Sequence, residues 1–196
     1  LGDEYVDGTL IEPLAPDFVE GRYPNLSAFP DPERVPWARW IEAGEPLPSG
    51  FEEQGVGVFE GGLYRERGVY RPTFTSRMRE FAQPFGAVNA EQWVLGVYRA
   101  ANIVRAFEPF EDRLEIVAGE TQRFSVTPYF PEDVQAIEWS LDGERIRQAD
   151  DGRVIEISPE TGTYRVGLTV RDVSGLIRVE PPHSGIYSWE WELVVR

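Results

Sequence analysis

The stretch Tyr164–Arg165–Val166–Gly167–Leu168–Thr169–Val170 decides the fold of the C-terminal half. Tyr164, Val166, Leu168 and Val170 recur at every second position, the period of a β-strand with one buried face. Working outward, similar short segments stand at 114–117, 122–127, 136–140, 154–157, 176–179 and 186–195, with turn residues between them. Leu141–Asp142–Gly143–Glu144 carries the Asp-Gly hairpin signal. Strands this short and this closely spaced predict an antiparallel β-sandwich of immunoglobulin or PKD-like type over residues 112–196, with Trp139 in its core. Cysteine is absent, so the sandwich relies on packing alone and thiolate zinc sites are excluded.

Residues 1–111 read differently, which makes the whole chain α+β with a boundary near Glu108–Pro109–Phe110–Glu111–Asp112. They hold most of the prolines and both helix patterns. Asp31–Pro32–Glu33 is a helix start, a capping Asp with Pro at the first helical position. That helix is predicted to carry Trp37, Trp40 and Ile41 and to stop at Gly44. Residues 45–62 are rich in Pro and Gly and read as loop. A second helix is predicted from Asn89, with Gln92 three residues on, to about Phe107. Val94, Val97, Tyr98, Ala101 and Val104 share one face of it.

The formal net charge is −15 over 196 residues, which argues against nucleic acid and anionic membrane as partners. All 19 basic residues are arginine. No apolar run approaches the roughly 20 residues of a membrane helix. Leu1 begins abruptly, without a basic-then-apolar signal segment, and the chain reads as processed or truncated. The absence of cysteine fits an exported protein, whether secreted, cell-surface or periplasmic.

Few residues carry chemistry on their own. Asp3–Glu4–Tyr5 sets two acids before an aromatic, an arrangement that serves as metal ligands or as a solvated turn. Tyr70–Arg71–Pro72 leads to Ser76–Arg77–Met78–Arg79, which contains the only methionine. A lone methionine is ordinarily a gap-filler in a core. Gly61–Gly62–Leu63–Tyr64 is a turn feeding this segment. His183 is the only histidine, follows Pro181–Pro182 and reads as a loop residue. No G-x-S-x-G motif, phosphate loop or dinucleotide fingerprint is present. Asn25–Leu26–Ser27 matches a glycosylation sequon.

Taken in order, Asp3–Glu4–Tyr5, Pro36–Trp37, Gly61–Gly62–Leu63–Tyr64, Tyr70–Arg71–Pro72, Ser76–Arg77–Met78–Arg79, Pro84–Phe85, Val88–Asn89 and Glu91–Gln92 resemble the IgA-peptidase family of zinc metallopeptidases. The resemblance implies the C-terminal part of a metzincin-like catalytic domain over residues 1–111, followed by the sandwich. It implies peptide-bond hydrolysis of a protein or peptide substrate by zinc-activated water. The H-E-x-x-H segment would lie upstream of Leu1, so this chain alone is expected neither to hold zinc nor to cleave peptides. Within the chain, the resemblance implies Asp3, then Glu4, as third zinc ligand, and Ser76 and Met78 as a methionine turn beside Asp3. Tyr70 and Tyr64 are implied oxyanion donors, and Tyr5, Arg71, Pro72 and Arg79 are motif positions. Calcium stays open given the acidity, although no calcium-loop motif is present.

Two other classes compete. A non-enzymatic extracellular binding or adhesion module predicts an exposed aromatic patch, with Trp37 and Trp40 as first candidates. A carboxylate-based glycosidase needs two acids across a cleft, drawn from Glu60, Glu66 and Asp17, with the same tryptophans stacking on a sugar.

Overall fold

A computed structural model describes residues 1–6, 18, 20–42, 55–129, 132–147, 151–178 and 185–196. His183, Asp17 and the expected helix stop at Gly44 lie outside the described residues. Among those described, the chain forms a 3-10 turn at Ala38–Trp40, β1 (Phe59–Gly62), β2 (Arg65–Arg71), α1 (Ala87–Ala101), β3 (Val104–Glu108), β4 (Arg113–Ile116) and β5 (Gln122–Pro128). A second 3-10 turn at Glu132–Val134 leads to β6 (Gln135–Leu141), β7 (Glu144–Arg145), β8 (Val154–Ile157), β9 (Gly162–Asp172) and β10 (Ile186–Val195). The chain divides into two compact units, Leu1–Val94 and Leu95–Arg196. No described helix is long and apolar enough to cross a membrane.

The second unit is a β-sandwich. One sheet has five strands in the order β4-β10-β9-β6-β7, the other three in the order β3-β5-β8. The alternation in β9 does its expected work: Val166, Leu168 and Val170 are buried while Arg165 and Arg171 are exposed. β10 pairs with β9 along its whole length, from Ile186 opposite Arg171 to Val195 opposite Gly162. Trp191, Leu193 and Val195 therefore share the inner face. Across the core, Phe124 of β5 meets Trp191 edge-on at 5.0 Å, and Trp139 stacks on Trp191 at 5.9 Å. Both buried indoles are satisfied, Trp139 Nε1 by the Gly152 carbonyl at 2.6 Å and Trp191 Nε1 by that of Pro109 at 2.9 Å. At Asp142–Gly143 both residues take positive φ, as a two-residue hairpin requires, and β7 returns for only two residues.

Several expectations need correction. The sandwich is mixed rather than wholly antiparallel, because β4 runs parallel to β10 at one edge. Residues 176–178 form no strand. The Asp172 carboxylate accepts the Ser174 amide and hydroxyl, and the Ser174 hydroxyl accepts the Leu176 amide, so side chains hold this stretch as a turn. The long helix starts at Ala87, after Gly86 at φ +76°, and stops at Ala101. Asn102 then takes φ +65° and its side chain accepts the Ile103 amide at 2.7 Å, which turns the chain into β3. Val104 is thus a strand residue of the sandwich, ahead of residue 112.

The helix expected after Asp31 is reduced to turns and the short 3-10 segment. Asp31 does accept the Glu33 amide at 2.9 Å, but Pro36 lacks the N–H that would continue a helix. Trp37 and Trp40 are core residues of the first unit, packed with Val35, Val58 and Val88. Trp37 donates to the Gly57 carbonyl at 2.7 Å, and Trp40 to the buried Glu91 carboxylate at 2.9 Å. Arg39 pairs with that same carboxylate. At the end of the stretch expected to be loop, residues 59–62 form β1, which pairs with β2 in a hairpin whose turn residues, Leu63 and Tyr64, both have positive φ.

The sandwich core makes a direct prediction. Trp139→Ala is expected to cost about 3–5 kcal/mol in urea unfolding. Val154→Ala, on a half-exposed side chain, should cost less than about 1 kcal/mol. Similar losses for the two would contradict the packing described.

Candidate functional site

A carboxylate with no water around it needs donors, and the first unit supplies them to Glu4. Glu4 is fully buried. Its Oε1 accepts from Asn25 Nδ2 and Asn89 Nδ2, each at 2.8 Å, and its Oε2 from the Ser76 hydroxyl at 2.6 Å. The Glu4 amide donates to the Met78 carbonyl at 3.1 Å. Asn25 also grips the Gly2 backbone on both sides, accepting from its N at 2.6 Å and donating to its O at 2.9 Å. Ser76 closes a tight turn: its hydroxyl accepts the Met78 amide, and its carbonyl accepts the amides of Arg79 and Glu80. The turn at Ser76–Met78 therefore lies against Glu4, with Met78 half-buried.

The remaining motif residues surround this centre. Tyr64 donates its hydroxyl to Asp3 Oδ2 at 2.8 Å, the Tyr5 amide holds Asp3 Oδ1 at 2.9 Å, and the two tyrosine rings meet edge-on at 5.5 Å. Tyr70 belongs to β2, bridges to Ser27 through the backbone, and has its hydroxyl pKa raised by burial and then by Glu60. Pro72 is buried, and its carbonyl accepts the Gly57 amide at 2.8 Å. Arg71 is buried and donates to the carbonyls of Glu60, Gly61 and Phe74; Arg79 shares the Phe74 carbonyl.

This arrangement is built as a structural anchor. Glu4 is committed to three side-chain donors, so removing its carboxylate leaves buried amides and a hydroxyl without a partner. Glu4→Ala is expected to destabilise the chain by about 3 kcal/mol or more, read as a lower urea midpoint. Asp3→Ala, at a half-exposed site, should cost no more than about 1 kcal/mol. Equal effects would show that Glu4 is not the anchor.

A second arrangement, which the sequence reading missed, lies in the sandwich unit. Phe107 of β3 is ringed by Phe110, Tyr187, Trp189 and Trp191, at centroid distances of 6.0, 6.0, 4.8 and 5.8 Å. Phe110 lies nearly parallel to Phe107, at 20°, and is 78% exposed. A cavity of about 300 Å³ opens beside them, lined by Asn102, Val104, Arg105, Phe107, Phe110 and Tyr187. Burial raises the Tyr187 hydroxyl pKa above its ordinary value. The available signal was the spacing Tyr187–Trp189–Trp191, three aromatics on one strand face, together with Phe107 just before the expected boundary and Phe110 within it. A wider depression of about 700 Å³ lies between Ser140, Asp142, Thr163, Arg165, Glu190 and Glu192. It is lined by polar and charged groups and has no aromatic wall.

No family model matches this chain, and no curated protein matches it. Among solved structures, it is similar to SGBP-B of the Bacteroides ovatus mixed-linkage glucan utilization locus, in complex with a mixed-linkage heptasaccharide. Identity is 23% over 46% of this chain and 23% of that one, with a TM-score of 0.36. It is also similar to the fibronectin(III)-like modules of Clostridium thermocellum CbhA, at 13% identity over 46% of this chain and 94% of that one, TM-score 0.33. The expectation of a zinc hydrolase with a methionine turn is corrected on the chain itself. Among the described residues no group of three or more His, Cys, Asp or Glu side chains is placed to hold a metal ion. The Glu4 carboxylate accepts three hydrogen bonds, from Asn25, Asn89 and Ser76. The expected stacking platform is corrected as well, since Trp37 and Trp40 are buried.

Proposed function

We propose that this chain is a non-enzymatic binding module acting outside the cell, and that its sandwich unit holds a sugar polymer through the aromatic groove at Phe107, Phe110 and Tyr187. The observation that carries this reading is Phe110, an aromatic ring 78% exposed yet supported from below by Phe107. An unsupported exposed phenylalanine is ordinary surface; one stacked on a second ring beside a cavity is a prepared apolar platform. The C–H face of a pyranose fits such a platform, while Asn102, Arg105 and the Tyr187 hydroxyl supply polar groups for ring hydroxyls. A net charge of −15 disfavours polyanions as the main partner. Export is consistent with the absence of cysteine from the chain.

The test is affinity electrophoresis through gels containing neutral soluble polysaccharides, followed by calorimetry on any that retard the protein. Retardation by at least one polysaccharide is expected, with Phe110→Ala weakening it at least tenfold, about 1.4 kcal/mol. Phe81→Ala, at another exposed ring, should leave binding unchanged. Free migration through the whole panel, or equal retardation of Phe110→Ala, would overturn the proposal.

A further inference from the structure

One cavity of the first unit gathers more positive than negative side chains, which is unexpected in so acidic a chain. Arg67, Arg71 and Arg79 line one cavity of about 390 Å³, together with Val6, Glu60 and Glu66. None of the three guanidinium groups has a carboxylate oxygen within 4.0 Å among the described residues. Arg71 is almost wholly buried, and all its bonds are to carbonyls: Nη1 to Glu60 at 2.6 Å and Gly61 at 2.9 Å, Nη2 to Phe74 at 2.9 Å, and Nε to Phe74 at 3.3 Å. Arg79 Nη1 converges on that same Phe74 carbonyl at 2.6 Å. Carbonyl dipoles satisfy N–H groups but do not neutralise two cations, and a buried charge ordinarily has a counter-charge. The Arg71 pKa is lowered to about 10, first by burial and then by the Arg79 charge, with Glu4 only partly opposing.

The backbone is shaped to bring this about. Gly61 has φ +109°, and a Cβ there would stand 3.0 Å from Arg71 Nη1 and 2.8 Å from Val6. Glycine thus lets β1 close over the guanidinium. Of the two acids at the cavity, Glu60 is engaged with the Gly68 amide at 3.1 Å. Among the described residues, three cations against two anions leave the cavity positive even with both acids ionised.

We propose that this cavity is a binding site for the carboxylate of a small molecule, of the kind carried by a uronic acid, held by Arg79 and Arg67 against the fixed charge of Arg71. A guanidinium presents parallel N–H groups that match a carboxylate. Arg79 uses only Nη1 on the protein, which leaves Nε and Nη2 for a ligand. A single negative charge balances the cavity, whereas a doubly charged phosphate would meet repulsion from Glu60 and Glu66. This site lies in a different compact unit from the aromatic groove and does not rest on that reading.

The experiment follows arginine Nε–H resonances of the ¹⁵N-labelled chain by NMR during titration with sodium glucuronate. Glucose and sodium chloride at matched ionic strength serve as comparisons. Saturable shifts are expected for the resonances that disappear in Arg67→Gln and Arg79→Gln, with glucose and chloride giving none. Arg79→Gln is expected to raise the glucuronate Kd at least tenfold and Arg67→Gln several-fold, while Phe110→Ala leaves it unchanged. Should Arg79→Gln lose the folded spectrum, Arg67→Gln at its exposed position carries the test. Shifts no larger than those from chloride, or a wild-type Kd in Arg67→Gln, would overturn the site. Inorganic phosphate binding as tightly as glucuronate would overturn the carboxylate assignment.

Discussion

A carboxylate removed from water must be met on every side by donors, and Glu4 imposes that condition on the first unit. Its partners come from three separate segments: Asn25 before the core tryptophans, Ser76 in the turn after β2, and Asn89 in the first turn of α1. None is close to Glu4 in sequence, so the bonds form only when the chain has closed around it. The desolvation cost of the ion is then offset by charge-assisted hydrogen bonds, and the loss of any one donor falls on a buried charge. Helix entry follows from the same constraint. Asn89 sits within the first turn, and its side-chain amide donates both to Glu4 and to the Phe85 carbonyl four residues back.

The sandwich unit solves its stability differently. It contains no disulfide, and the place of one is taken by rings: Phe124, Trp139 and Trp191 fill the space between sheets, and the indoles of Trp139 and Trp191 each donate to a carbonyl. The aromatic series continues past the core along β10, through Trp189 to Tyr187, where Phe107 and Phe110 close over it. One strand thereby links a packed interior to a solvent-facing groove, and a ring on that strand is positioned by the same register that builds the core.

The legible parts of the sequence were those governed by local periodicity. β9 announced itself because its alternation is strict, and β8 because Val154 to Ile157 is bounded by turn residues on both sides. The end of α1 was hidden because Val104 continues the helical spacing; only the left-handed Asn102, stabilised by its own side chain, breaks it. Trp37 and Trp40 lie three apart, which reads as a helix face, yet a one-turn 3-10 segment gives the same spacing. The site was harder. Residues that cluster around Asp3 and Glu4 were picked out together, but an acid held as a ligand and an acid held as an anchor look identical in sequence. What separates them is the set of donors, Asn25 and Asn89 above all, and these approach from distant segments. The pairing of Phe107 with Phe110 was obscured because both fall at a supposed boundary, where exposed rings invite no structural reading.

The brevity of the outermost strands has a consequence for crowding. The five-stranded sheet ends in β7, two residues long, and in β4, four residues whose Arg113 and Glu115 point charges along the rim. A foreign strand arriving at either side finds few free amides and carbonyls to copy, and at β4 it meets fixed charge as well. Copies of this unit held side by side on a surface, or strung along one polypeptide, would remain separate bodies at these two borders.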